Sequence, residues 1–321
     1  MSSRQQQVVV NGRHSSVAEV VSGVPQGTVL GPMLFLLYIN DIANGIDSKM
    51  RLFADDSILY RDVQNPSDHN TLAADIEKLH KWAITWQMDF NISKCAILTI
   101  TNKRTPIIYP YMMNNVLIPR VEQHDYLGVT LDRRLSWKPH ITKVCTKANR
   151  TLGLVKRTLH AAPKQVRKVA YETLVRPSLE YATCAWSPHT QASNKKVEKV
   201  QRIAARFVSG DYRRDSSVTS MCKQLNWDTL EKRRSLRDMV LFHKIHHGHV
   251  RIAMPETLCA ADHRTRHSNN HKLRVVTSSC STYQYSYFVR CVPLWNMMPQ
   301  TVIDAKTQQF QAMALPVIRA L

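Results

Sequence analysis

Asp55 and Asp56 stand side by side in the run Phe53-Ala54-Asp55-Asp56, flanked by apolar Met50 and Leu52 on one side and Ile58, Leu59 and Tyr60 on the other. The alternation on both sides predicts two short strands with the acids at the tip of the hairpin joining them. Adjacent like charges repel, so such a turn is favoured only where water or a cation offsets the repulsion. One reading is an ordinary surface turn, since Asp side chains hydrogen-bond the local backbone. The other is that carboxylates on a rigid hairpin hold divalent metal ions for phosphoryl or nucleotidyl transfer.

The upstream stretch shifts the balance toward the metal. Gly23-Val24-Pro25-Gln26-Gly27-Thr28-Val29-Leu30-Gly31-Pro32 concentrates three of the chain's nine glycines. Such a density of Gly and Pro predicts a tight, backbone-exposed loop that a nucleotide or base pair can approach closely. Apolar Met33 to Ile39 then predicts a helix, which ends at Asn40-Asp41. Taken together, GVPQGTVLGP, LFLLYIND and FADD resemble, in order and spacing, motifs B and C of reverse transcriptases from non-LTR (LINE-type) retrotransposons. Leu79 to Lys94, with Trp82, Trp86, Asn91 and Ser93, looks like motif D, and Tyr126 to Asp132, followed by Leu135, Trp137 and His140, looks like motif E and its extension. Tyr171 to Ala182, Trp186-Ser187-Pro188 and Lys199 to Arg202 are similar to the helical segment after the palm, and Leu294-Trp295-Asn296 with Pro299 to the C-terminal end.

The resemblance implies an α+β fold: an incomplete palm of antiparallel sheet plus helices over residues 1–135, a basic helical thumb over 136–212, and a helical to loop-rich extension over 213–321. It implies an RNA-directed DNA polymerase acting on an RNA template, a DNA primer and deoxynucleotides, with two Mg2+ ions in the complete enzyme. Asp55 would bind metal directly and Asp56 would bind or tune the second ion. Pro25, Gln26, Gly27, Phe53 and Ala54 would line the nucleotide and template pocket. Lys94 would stabilise or protonate the pyrophosphate leaving group, and Tyr126, Leu127 and Gly128 would form the primer grip. For these last two sites a surface lysine and a plain buried strand are the competing readings.

One departure qualifies this expectation. In the family the first catalytic carboxylate lies in motif A, before motif B, whereas no Asp precedes Gly23 here. The opening residues read instead as a hairpin, Gln7 to Val10 and Ser16 to Val21, turning at Asn11-Gly12. Asp41 matches a different family position. The expectation is therefore a truncated polymerase, inactive on its own, and the alternative is a non-catalytic nucleic-acid-binding remnant of such an element.

Charge adds a physical argument. The 321-residue chain carries a formal +20. Residues 1–100 hold 8 basic and 10 acidic side chains, while residues 133–206 hold 17 basic and 3 acidic. Surface helices normally interleave both signs, so a stretch this one-sided points to a polyanion, whose backbone binds through phosphate neutralisation. Apolar residues at helical spacing (Ile141, Val144, Ala148, Leu152, Val155, Leu159; Val166, Val169, Ala170, Leu174; Val197, Val200, Ile203, Ala204, Phe207) predict three packed helices. Their backs would carry Lys143, Lys147, Arg150, Lys164, Arg167, Lys168, Lys195, Lys199 and Arg202 outward as a nucleic-acid clamp; the competing reading is a solvated face.

The remaining expectations are local. Asn65-Pro66 and the stripe Leu72, Ile76, Leu79, Ala83, Trp86 predict a palm helix whose Trp residues pack on the sheet that carries Asp55 and Asp56. Ile97 to Thr101, Ile107 to Tyr111 and Asp125 to Leu131 predict strands. A helix should start at Asp228, with Glu231 completing a capping box, and residues 249–290 should be rich in loops. Cys259, His263, His267, His271 and Cys280 carry zinc-compatible ligands, but the neighbouring Arg264, Arg266, Lys272 and Arg274 argue instead for a basic RNA-facing loop. The seven cysteines show no paired spacing, which suits a reducing compartment. The longest apolar run falls far short of the roughly twenty residues of a membrane span, and no signal peptide opens the chain. An intracellular location, nuclear or cytoplasmic, follows from the resemblance.

Overall fold

A computed structural model describes residues 4–20, 23–24, 27–260 and 271–320. Pro25 and Gln26 of the predicted pocket, and His263 and His267 of the zinc-compatible set, lie outside them. The chain divides into two units, residues 1–97 with 104–121, and residues 98–103 with 122–321. The hairpin that carries Tyr126, Leu127 and Gly128 thus falls in the helical unit.

In the first unit, strands Arg4–Gln6 (β1), Val9–Val10 (β2), Arg13–His14 (β3) and Ala18–Val20 (β4) form a ribbon, β2 pairing with β3 and β1 with β4. It turns at Asn11-Gly12, as predicted, because both residues accept left-handed backbone (φ +50° and +75°). Helix α1 (Leu30–Tyr38) follows, its first turn held by the Thr28 hydroxyl, which accepts from Gly31 N–H at 3.1 Å. Strands β5 (Lys49–Phe53) and β6 (Asp56–Tyr60) pair in the register Lys49↔Tyr60 to Phe53↔Asp56.

Helix α2 (Pro66–Thr85) is capped by Asn65 in a reciprocal capping box with Asp68, and buries Ile76, Leu79 and Ala83. Its Trp residues do not pack on the hairpin as expected. Trp82 donates to Asp41 at 3.0 Å, and the Trp86 ring meets Tyr38 edge-on at 5.4 Å, so both reach the end of α1. What α2 packs against is a small core of Tyr111, Met113 and Ile118, with Leu59 of the hairpin at its margin.

The expected strands between residues 97 and 111 are mostly missing. Only Ile97–Leu98 (β7) is extended pairing, and Ile107 to Tyr111 is irregular because Pro106 and Pro110 withhold ladder donors. The next hairpin joins Met112–Met113 (β8) to Val116–Leu117 (β9) through Asn114-Asn115, both at left-handed φ. Arg120–Val121 (β10) closes the unit. Among the described residues every sheet is one pair of strands.

The second unit opens with strands Gln123–Tyr126 (β11) and Val129–Asp132 (β12), a hairpin where a single strand was predicted. Leu127 and Gly128 reverse the chain with φ +47° and +77°. Helix α3 (Lys138–Thr158) packs on α7 (Gln191–Ser209) around Ile141, Ala148, Leu152, Val197, Val200 and Ala204, the predicted stripes. Between them the prediction fails. Helix α4 (Lys164–Ala170) passes into a π-turn (Tyr171–Val175) and α5 (Arg176–Glu180). Pro177 cannot donate to the Thr173 carbonyl and its ring crowds it, so the helix widens and Arg176 N–H reaches back to Tyr171 O. The added residue turns Val166, Val169 and Leu174 outward and buries Ala170, Tyr171, Val175 and Leu179.

Short helices α6 (Thr183–Trp186) and α8 (Val218–Gln224) flank α7. Helix α9 (Leu230–His246) is capped by Thr229, not Asp228, since the Thr229 hydroxyl accepts from Lys232 N–H at 3.2 Å while Asp228 pairs with Arg319. Residues 249–260 and 271–280 are largely irregular. Then α10 (Ser281–Gln284), α11 (Tyr287–Asn296), α12 (Gln300–Ile303) and α13 (Thr307–Ala320) build a second core with α9 around Phe242, Trp295 and Phe310. Among the described residues no helix is long and apolar enough to cross a membrane.

Candidate active site

The β5–β6 hairpin places its two acids as the alternation predicts. Ala54 and Asp55 are the two-residue loop and Asp56 opens β6 opposite Phe53. Ala54 sits at φ +50°, a conformation that costs an L-residue about 1 kcal/mol and that the tight reversal imposes. Asp55, Asp56, Phe53 and Ala54 are all exposed. Neither carboxylate has a side-chain hydrogen bond or an ion pair among the described residues, although Arg51 and Lys49 lie on the same hairpin.

Two unpaired hard oxygen donors four bonds of backbone apart suit Mg2+, which prefers carboxylate and water ligands. They are part of a coordination sphere, since among the described residues no group of three or more His, Cys, Asp or Glu could hold a metal ion. Asp41 supplies no third oxygen because Trp82 occupies it. Gly27 sits at φ +77°, in the left-handed region that glycine tolerates, and a Cβ added there would meet nothing within 4 Å. Lys94 ends a 3-10 turn (Ile92–Lys94), is exposed, and has no printed bond to the acids.

The predicted primer grip is the tip of the β11–β12 hairpin. Tyr181 donates its hydroxyl to Leu127 O at 2.9 Å, and a Cβ on Gly128 would lie 3.4 Å from the Tyr181 ring. Glycine therefore serves here to admit a tyrosine from the helical segment. His140 steadies the same hairpin, its Nδ1 accepting from Thr130 N–H at 3.1 Å.

Of the predicted clamp, Lys147, Arg150, Lys164, Lys195, Lys199 and Arg202 are exposed, as is Lys143, which pairs with Asp125. Arg167 is a correction. It turns inward, donating from Nη1 to Phe207 O at 2.7 Å with its guanidinium over the Phe207 ring, and so caps the end of α7 before Gly210. Lys168 is half-buried.

Sequence reasoning passed over three buried charge hubs. Asp75 is fully buried and accepts from Asp47 N–H, Ser48 N–H and Lys78. Glu180 is buried between Arg233 and Arg237. Asp238 is buried against Arg290. A carboxylate inside a helix stripe that is otherwise apolar, as Asp75 is beside Ile76, was the available signal.

An exposed acidic pair on a hairpin, preceded by a glycine loop and an apolar helix, defines a polymerase-type palm element, and residues 3–131 match the family described as "Reverse transcriptase (RNA-dependent DNA polymerase)". The chain is similar to the probable RNA-directed DNA polymerase from transposon X-element of Drosophila melanogaster, at 29% identity over 210 residues, 61% of this chain and 23% of that protein. It is also similar to the RNA-directed DNA polymerases from mobile element jockey of Drosophila melanogaster (28%, covering 63% and 23%) and Drosophila funebris (29%, covering 64% and 24%). The chain spans about a quarter of the length of these curated relatives. No solved structure matches it.

Proposed function

We propose that this chain is the motif B to C-terminal portion of a LINE-type reverse transcriptase, with a partial palm over residues 1–135, a thumb over 136–212 and an extension over 213–321. The observation that carries the reading is the hairpin tip: two exposed acids without a described partner, inside the span that matches the reverse-transcriptase family. Burial against cations would have removed it.

Magnesium, when bound, supplies Lewis-acid activation of a primer 3′ hydroxyl and screens the charge on the α-phosphate of the incoming deoxynucleotide. Asp55 would be its direct oxygen ligand and Asp56 the neighbour that completes or tunes the sphere, together with a carboxylate from outside the described residues. Gly27 would let template and nucleotide approach the main chain, with Pro25 and Gln26 beside it, and Phe53 and Ala54 would floor the pocket. Lys94 would deliver a proton or a positive charge to the departing pyrophosphate. The β11–β12 tip would hold the primer end. The exposed lysines and arginines of α3, α4 and α7 would contact the phosphates of an RNA–DNA duplex.

A second reading, nucleic-acid binding without chemistry, is favoured by the lack of any three-donor group among the described residues. Primer extension on an RNA template with Mg2+ separates the two. The chain alone should bind primer-template at low salt without extending it, and a longer polypeptide supplying a third carboxylate should extend it, losing that activity in D55N. Extension by the chain alone would sink the claim of incompleteness. A longer polypeptide that binds but never extends would leave only the binding reading.

A further inference from the structure

Arg234, on the inner side of α9, is 2% exposed. Its Nη2 donates to Asn194 Oδ1 at 2.7 Å, while its Nη1 is buried with no hydrogen-bond partner among the described residues. Nor does any described carboxylate form an ion pair with it, although Glu180 and Asp238 nearby are both taken by other arginines. Glu198 is a weak counter-ion because burial pushes its carboxyl up, toward the neutral form. Arginine stays protonated, so the helical unit encloses a positive charge that neither water nor an acid compensates, an arrangement costly unless an anion joins it.

The guanidinium forms part of the wall of a cavity of about 120 Å3, which Ser187, Ser235, Glu231 and Arg290 also line. Arg290 and Asp238 neutralise one another across the wall, with Arg290 Nε donating to Asp238 Oδ2 at 3.1 Å and Nη2 to Oδ1 at 3.2 Å. Glu231 is solvent-exposed, where water and salt screen it. The field inside the cavity is therefore set by Arg234. Ser187 and Ser235 add hydroxyl donors, and the volume admits one phosphate group but no nucleoside.

We propose that this cavity is a binding site for a single phosphate-type oxyanion, held by Arg234 with Ser187 and Ser235. The site lies outside the residues assigned to the polymerase reading and stands whether or not that reading holds. The group is either a free phosphate or the terminal phosphate of an oligonucleotide.

The test follows thermal unfolding of the full chain in inorganic phosphate against chloride at matched ionic strength, for wild type, R234M and R234K. Wild type should gain stability with phosphate, R234M should show no gain beyond the chloride control, and R234K should respond with an apparent affinity about tenfold weaker, since a point charge replaces a planar fork. A 5′-phosphorylated dinucleotide compared with its 5′-hydroxyl form identifies the source: an Arg234-dependent gain confined to the phosphorylated dinucleotide assigns a polymer end, and a gain with inorganic phosphate assigns the free anion. No response from wild type to either probe overturns the site. So does an equal response in wild type and R234M, which would trace binding to the basic surface. Should R234M fail to fold, equal responses in wild type and R234K overturn it as well.

Discussion

Asp75 and the histidines of α9 show at the level of single residues what the sequence displayed and what it hid. The helical stripe through Ile76, Leu79 and Ala83 was legible, but the period of a helix says nothing about which polar residue turns inward with it, and Asp75 does. Burial works against its ionisation, yet hydrogen bonds from Ser48, Lys78 and the Asp47 and Ser48 amides outweigh that and hold the carboxyl below its ordinary value. A lowered carboxyl pKa contributes stability that is present above the unfolded value near 4 and fades as the pH falls through the folded one. Asp75→Ala strands Lys78 and two N–H groups, and should cost about 3 kcal/mol in urea unfolding at neutral pH. His243 and His246 run in another window. Burial pushes both imidazoles down, reinforced by His247, His249 and His271, against a partial opposing pull from the Ile303 and Ala305 carbonyls on His243 and from Asp304 on His246. Neutral histidine is thus favoured in the fold, and their contribution, full above about pH 6.5, is lost as the pH falls below it. His246→Gln should flatten the drop in melting temperature between pH 7 and pH 5 that wild type shows; an unchanged slope would remove these histidines from the acid response.

At the level of elements, periodicity succeeded where the backbone is regular and failed where proline or left-handed residues intervene. Helices α2, α3 and α7 carry no internal proline beyond their first turn, and their buried faces are the predicted ones. From Pro163 to Glu180 the stripe was misplaced, because Pro177 induces a π-turn that advances the phase by one residue and leaves Val166, Val169 and Leu174 exposed. The stretch Asp125 to Leu131 was read as one strand for a related reason. Leu127-Gly128 lacks the Asn-Gly signature of a tight hairpin, and only the backbone angles reveal the reversal. The element-scale prediction belongs here. Gly128→Ala meets both a left-handed φ and the Tyr181 ring at 3.4 Å. It should destabilise the helical unit by about 1 kcal/mol or more. Tyr181→Phe, which removes the hydroxyl that reaches Leu127 O but leaves the backbone unstrained, should cost less. Urea midpoints for the two variants check the order.

For the molecule as a whole, the uneven charge was the most legible property, since it needs no knowledge of which residues meet. The division of the chain was harder to read: the hairpin of Tyr126 to Gly128 joins the helical unit through Tyr181, a contact across 54 positions of sequence that no local pattern encodes. Charge asymmetry has a measurable consequence. Residues 1–100 are near neutral, so backbone binding should depend almost wholly on the exposed cations of 133–206. Each phosphate contact contributes about 0.9 to the slope of log affinity against log salt on a duplex. The triple variant K147E/R150E/K199E removes three exposed cations that form no ion pair among the described residues. It should weaken primer-template binding by at least tenfold at low salt and lower the slope by about 3. D55N/D56N, which makes the hairpin tip less negative, should leave the slope unchanged, because a metal-binding tip releases no counter-ions from nucleic acid. Fluorescence anisotropy over a salt series reads both numbers. An unchanged slope in the triple variant would mean that the basic helices are only a solvated face, and a slope that instead responds to Asp55 and Asp56 would place the nucleic acid on the first unit.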